Sequence, residues 1–335
     1  MSAGLWLGLL LTLGAGVLSG NCMLPMKFVK RWAWENTWLV FSLISLVVLP
    51  WALALGLVRD VTAVYAALPA SAFAAPLLFG AGWGIAQVLF GLSIARLGLA
   101  LGYAIIIGLG ALGGTLVPLV AKHPEVLATP RGALILSGVA IMLAGIAVSA
   151  RAGQRRERSS EPEARAGGYA AALAVAVLCG LMAPMINYAF AFGQSIAEEA
   201  VRQGTSAEAA GYAVWPVGLL GGLIPNLAYC IWLLGRNHTW KHFRGPWRPD
   251  IWLAAMMAVF WMGAVAIYGV SSVYLGSLGT SVGWALFQIF MIMTATLAGV
   301  LTGEWKRAPR AAWRGMWTGL ALLAAATAVI AAGNR

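Results

Sequence analysis

Ten runs of roughly 20 apolar residues, five on either side of one charged segment, restrict the fold of this chain more than any motif within it. A helix of about 20 residues crosses a hydrocarbon core about 30 Å thick. Ten crossings consume most of the 335 residues. The runs are apolar all round and lack the period-2 alternation of a membrane β-barrel strand. Only 10% of the residues are charged, against about 25% in a soluble domain, so a water-soluble fold would lack the polar surface to cover itself. The expected fold class is an all-α integral membrane protein with ten transmembrane helices. They are expected near 3–25, 36–58, 72–95, 98–121, 131–150, 168–192, 210–234, 250–275, 279–303 and 311–333.

The charged segment, RAGQRRERSSEPEARAG, gives an N-terminal five-helix repeat at 1–150, a cytoplasmic polar linker at 151–167 and a C-terminal five-helix repeat at 168–335. The halves resemble each other: ARLGLALGYA (95–104) aligns with GSLGTSVGWA (276–285) at an offset of 181, which also places Thr115 on Thr296. Because five is odd, the second copy must enter the bilayer upside down. Inverted repeats are the architecture of alternating-access carriers, whose sites lie near the midplane between the repeats.

The net charge of +11 sorts by side rather than forming a patch. Loops 1–2, 3–4, 5–6, 7–8 and 9–10 carry 17 of the 22 Lys and Arg. The opposite side carries Arg59, Lys122, Arg131, Arg202 and Arg335. Positive residues resist translocation, so the rich side is expected in the cytoplasm and both termini outside. The basicity is topological and gives no reason to expect a nucleic-acid partner. Residues 3–25 lack a basic leading region and end in PMKFVKRWAWE, the reverse of a cleaved signal peptide, and are expected as a retained helix. Trp32, Trp34 and Trp38 are expected as an interfacial aromatic belt. Residues 195–209, with Glu198, Glu199 and Glu208, are expected as a solvated cap on the outer side.

Other signals close off classes of function. Cys22, Cys179 and Cys230 fall inside spans, and His123, His238 and His242 fall in loops, so neither a disulfide framework nor a metal site is expected. The Gly-x-x-x-Gly pairs Gly16/Gly20, Gly80/Gly84, Gly98/Gly102, Gly279/Gly283 and Gly299/Gly303 read as helix-packing faces. Gly108-x-Gly110-x-x-Gly113 has no strand before it and is not a dinucleotide fingerprint. The spans contain no nucleophile–base pair, His-Glu-x-x-His motif or paired carboxylates, which argues against an integral membrane enzyme, the alternative outside transport; no cofactor is expected.

No carboxylate sits at the midpoint of any span, so the uncharged polar residues there carry the argument. Trp83 and Gln87 in helix 3, and Trp284 and Gln288 in helix 9, are four residues apart and share a helix face. Asn226 follows Pro225 in helix 7. Helix 8 offers Trp261 and Tyr268, helix 6 Asn187, helix 4 Tyr103 and helix 1 Asn21. Amides donate and accept hydrogen bonds, and flat aromatic faces stack on the C–H side of a sugar ring, so this set suits a neutral polyol. Bonding of the same amides across helices is the structural alternative. Charged candidates for proton coupling lie at the cytoplasmic edge. Glu35 opens helix 2 near Lys27, Lys30 and Arg31. Glu304 ends helix 9, where the helix dipole disfavours an anion, and is expected to pair with Lys306, Arg307 or Arg314. Lys27 follows Pro25 and can snorkel or reach inward.

The blocks PMKFVKRWAWENTW (25–38), LPWAL (49–53), FGAGWGIAQVLFGLSIARLGLALG (79–102), SARAGQRRER (149–158), NLAYC (226–230) and GEW (303–305) resemble the L-rhamnose/proton symporter family of the drug/metabolite transporter superfamily. The resemblance covers most of the chain. It implies ten helices in two inverted repeats and import of L-rhamnose or a related neutral deoxysugar with protons. It also implies amides where this chain has Leu89 and Ala264, and a carboxylate where it has Thr280. An exporter of amino acids or other small metabolites, and an uncoupled sugar facilitator, are the alternatives within transport.

Overall fold

The computed structural model describes residues 3–97, 99–158, 169–244 and 248–334, without the side chains of 94–96, 99–100, 103–104, 157–158, 169 and 248. Among the described residues, ten helices are long and apolar enough to cross a membrane. They are α1 (Ala3–Asn21), α2 (Trp34–Leu57), α3 (Ser71–Leu97), α4 (Leu99–Lys122) and α5 (Pro130–Arg158), then α6 (Tyr169–Met182 and Met185–Phe192), α7 (Trp215–Arg236), α8 (Arg248–Tyr274), α9 (Gly279–Leu301) and α10 (Arg310–Gly333).

Three departures from the expected helices have local causes. α2 contains a π-turn over Ile44–Val48. Pro50 has no N–H for the carbonyl four residues earlier, and the ladder slips so that the Leu49 N–H reaches Ile44. α6 breaks at 183–184 for the same reason at Pro184. α5 continues to Arg158, so the start of the expected linker is helical. Its Arg, Gln and Glu residues are good helix formers, and helix is permitted wherever water solvates them. The remaining linker residues lie outside the described residues.

Contacts between loops define two ends. At one end the termini of α1, α5 and α9 meet, because Lys27 and Arg156 both pair with Glu304. At the same end the Asp250 carboxylate accepts from the backbone N–H groups of Lys30, Arg31 and Trp32 at 3.1–3.3 Å, tying the α1–α2 loop to the start of α8. This is the linker end. At the far end Asn334 donates to the Leu275 carbonyl at 3.0 Å, and the Arg59 N–H donates to Thr205 Oγ1 at 3.1 Å. A helix over Gln194–Arg202 caps this end with Ile196 and Ala200 fully buried against the bundle.

Within the bundle α5 lies along α10, and α3 along α7. α1 packs on α8 and α9, α6 packs on α3 and α4, and α4 meets α9. The α3–α7 crossing needs glycine on both sides. A Cβ built on Gly84 would lie 2.5 Å from the Gly222 carbonyl oxygen, and one on Gly80 would overlap that of Gly218. In lipid, such close backbone approach replaces the hydrophobic drive that holds soluble helices together. The expected tryptophan belt is corrected here. Trp32 is 7% and Trp38 9% exposed; Trp32 packs edge-on against Phe243 and Trp38 turns inward. Trp34, 38% exposed, stays at the surface; the Asp250 clamp draws Trp32 inward, and the bond to Asn226 holds Trp38.

Candidate functional site

Four residues singled out in the sequence, Trp83, Gln87, Asn226 and Trp261, line one cavity inside the bundle. α2 supplies another wall through Trp38, Phe41, Ser42 and Leu46, and Met23 lies at the end of α1. The indoles of Trp83 and Trp261 stack with centroids 5.3 Å apart and planes 21° from parallel. Phe41 meets Trp261 edge-on at 6.2 Å. Trp38 Nε1 donates to Asn226 Oδ1 at 3.0 Å, and Asn226 Nδ2 donates to the Gly222 carbonyl at 2.8 Å. The Gln87 amide bonds to no described residue. The cavity measures about 20 Å³, room for about one water and far less than a small-molecule pocket. It lies on the linker-end side of the α3–α7 glycine crossing, where the Trp83 ring packs against Gly222.

A second group of candidates gathers elsewhere. Asn187 Nδ2 donates to the carbonyls of Gly114 and Thr280, each at 2.9 Å, and its Oδ1 accepts from the Tyr268 hydroxyl at 2.5 Å. Trp284 Nε1 donates to the Gly110 carbonyl at 3.0 Å. Every polar atom of this knot is satisfied by the protein itself, and it joins α4, α6, α8 and α9. Burial of such a network is tolerated because no partner is missing. Gln288 is buried on α9 without a described partner. Asn21 bonds back to Val17 within α1 at 2.8 Å. The Tyr103 side chain lies outside the described residues.

All four α2 residues of the cavity, Trp38, Phe41, Ser42 and Leu46, escaped the sequence reading. Trp38 and Ser42 share the four-residue spacing that singled out Trp83 and Gln87, and assigning Trp38 to the membrane surface hid the pair. The charged candidates also sit differently from expectation. Glu304 pairs with Lys27 and, at 3.0 Å, with Arg156, rather than with the cations that follow it. The reason is the turn ending α9. Gly303 adopts φ 83°, and the Glu304 N–H reaches back to the Gly299 carbonyl at 2.9 Å, which swings the carboxylate under the helix. Burial pushes the Glu304 carboxyl upward, but the bonds and charges of Lys27 and Arg156 outweigh it and hold it below the usual glutamate range.

A family model described as the L-rhamnose-proton symport protein matches residues 1–334. The chain belongs to that family. It is 30% identical over 304 residues to the L-rhamnose-proton symporter of Salmonella dublin, covering 88% of each chain. Against that of Cronobacter sakazakii it is 30% identical over 319 residues, covering 92% of each. The family and these relatives are transporters, not enzymes, and with its ten spans the chain is a multi-pass membrane transporter.

In this transporter Glu35 is 4% exposed and accepts from Asn237 Nδ2 at 3.0 Å and Thr239 Oγ1 at 2.7 Å. Its hydrogen-bond partners are therefore neutral side chains, not the Lys27, Lys30 and Arg31 expected from the sequence, and His242 lies within electrostatic reach. Leu89 and Ala264 are packed among apolar side chains, and Thr280 enters the Asn187 knot through its carbonyl. None of the three lines the cavity.

Proposed function

We propose that the chain imports L-rhamnose or a related neutral deoxysugar together with protons across a bacterial inner membrane, by alternating access around the Trp83–Trp261 cavity. The observation that carries the reading is the cavity's composition. Indole faces and amides with no charged group suit a polyol, and the named relatives are L-rhamnose-proton symporters. At about 20 Å³ the cavity must widen to admit a hexose, and separating the stacked indoles is the direct way to do so.

The packing supports two inverted repeats. Adding five to each helix number turns the α1 contacts with α8 and α9 into the α6 contacts with α3 and α4, and leaves the α5–α10 and α4–α9 pairs unchanged. With most Lys and Arg at the linker end, that end faces the cytoplasm and both termini the periplasm.

Glu35 is the proton carrier in this reading. It lies three residues before Trp38, and its partners can exchange roles, because an amide and a hydroxyl accept as well as donate. Protonated Glu35 would keep its hydrogen bonds. Asp250 would not, because its donors are backbone N–H groups that cannot accept.

Proteoliposomes with an acidic exterior should accumulate labelled L-rhamnose above its external concentration, and a protonophore should collapse the gradient. The reading fails if the sugar never rises above equilibrium, or if amino acids rather than sugars compete. Glu35→Gln should retain L-rhamnose binding and lose accumulation; gradient-driven uptake that survives the substitution removes Glu35 from the role.

A further inference from the structure

Ser42 lines the cavity and is 1% exposed, yet its Oγ has no hydrogen-bond partner among the described residues. A serine within a helix ordinarily turns its hydroxyl back to the carbonyl four residues earlier. Ser45 does so to Phe41 at 2.7 Å, as do Ser93 to Leu89 at 2.8 Å and Thr115 to Ala111 at 2.7 Å. Ser42 does not engage Trp38 in this way. It stands two residues before the π-turn over Ile44–Val48, where the backbone ladder slips, and such turns recur at functional sites.

The hydrogen-bonding inventory of the cavity narrows accordingly. Trp38 Nε1 and the Asn226 amide satisfy each other and a backbone carbonyl. Free capacity remains in the Ser42 hydroxyl on α2, the Gln87 amide on α3 and the indole N–H groups of Trp83 and Trp261, which can only donate; of these, Ser42 Oγ is the fully buried atom without a partner among the described residues. Ser149 is also unpartnered, but it faces Gly319 in the α5–α10 seam and does not line this cavity.

We infer that Ser42 determines specificity: its Oγ bonds one ring hydroxyl of the bound sugar, and Gln87 bonds another, while the stacked indoles part to cover the C–H face. This deepens the sugar-transport reading and rests on it. A site built to bond a hydroxyl discriminates against the analogue that lacks it, because its own polar group is then left unpaired.

The test measures binding by tryptophan fluorescence to the purified full-length protein. The probes are L-rhamnose and derivatives each lacking one further ring hydroxyl. Wild type should lose roughly tenfold in affinity for at least one derivative, as expected for one lost hydrogen bond. Ser42→Ala should bind L-rhamnose roughly tenfold more weakly and no longer separate it from one such derivative, while the other penalties persist. Ser45→Ala should behave as wild type. Should Ser42→Ala fail to fold, Ser42→Cys keeps the volume, weakens the polar group and gives the same readout.

Wild-type affinity in the variant, or equal weakening for every probe with discrimination intact, overturns the inference. Wild type that binds none of the probes overturns the sugar-transport reading, and this assignment with it. Wild type that binds L-rhamnose and every derivative equally overturns the inference alone, so L-rhamnose binding by the unsubstituted protein separates the two failures.

Discussion

The α3–α7 crossing at the far end and the α2–α8 crossing at the linker end bound the same cavity with opposite materials. At the first, Gly80 and Gly84 meet Gly218 and Gly222 backbone to backbone. At the second, Phe41 and Trp261 stand edge-on at 6.2 Å, backed by Trp38, Met257 and Ala258. Under the proposed repeat, at an offset of 181, Gly80 corresponds to Trp261 and Gly84 to Val265. Where one half carries hydrogen atoms the other carries an indole and a branched side chain. Side-chain rotation can loosen the aromatic contact. The glycine contact has no side chain to rotate and can part only if whole helices move. The glycine crossing is thus the more rigid of the two contacts and the aromatic one the more yielding.

The sharpest way to break this comparison is to give the glycine crossing a side chain. Gly84→Val forces the backbones apart and should destabilise the protein by about 3 kcal/mol, with uptake falling by roughly a hundredfold; thermal melting and proteoliposome flux measure both. Asn187→Ala, in the knot with Tyr268, should cost about 2 kcal/mol by removing the bonds to the Gly114 and Thr280 carbonyls and leaving the Tyr268 hydroxyl its longer 3.2 Å contact with Thr280. L-rhamnose affinity of the folded fraction should stay within about twofold, a change too small for a lost contact. A large loss of affinity would move Asn187 into the site.

The yielding side should respond less. Phe41→Leu should cost about 1 kcal/mol and slow uptake roughly fivefold, and a penalty equal to that of Gly84→Val would erase the distinction between the two crossings.

The smallest effect is expected at the Lys27–Glu304–Arg156 cluster, which is partly exposed, so Glu304→Gln should change stability by no more than about 1 kcal/mol. Because the folded protein holds the Glu304 carboxyl below its usual range, its contribution is fully present above about pH 4.3, the usual glutamate value, and is lost as pH falls through the lowered one. The melting difference between wild type and Glu304→Gln should therefore be flat from about pH 6 to 8 and shrink only in acid.

Much of the architecture was legible in the sequence because bilayer thickness and apolar length are one measurement made twice. The ten spans appear where hydropathy places them, displaced by a few residues at their ends. Pairing is another matter. Trp83, Gln87, Asn226 and Trp261 have the residue types and depth of a binding site, and so do Asn187, Tyr268 and Trp284. Which three would be satisfied within the protein depends on the carbonyls of Gly110, Gly114 and Thr280 facing them, and the sequence does not show where a backbone carbonyl points. The Glu304 partners were hidden for a similar reason. Cations adjacent in the chain were the obvious choice, and a left-handed glycine turned the carboxylate toward α1 and α5 instead.

The π-turn in α2 has a consequence for anyone mapping this transporter by substitution. One surplus residue rotates everything beyond it by about 100° relative to an unbroken helix. A wheel drawn across Trp34–Leu57 from its first residues therefore assigns the wrong environment to side chains past Val48, and a scan interpreted from that wheel would read lipid contacts as lumen contacts. Numbering the two portions as separate helices, with independent phases, restores the assignment.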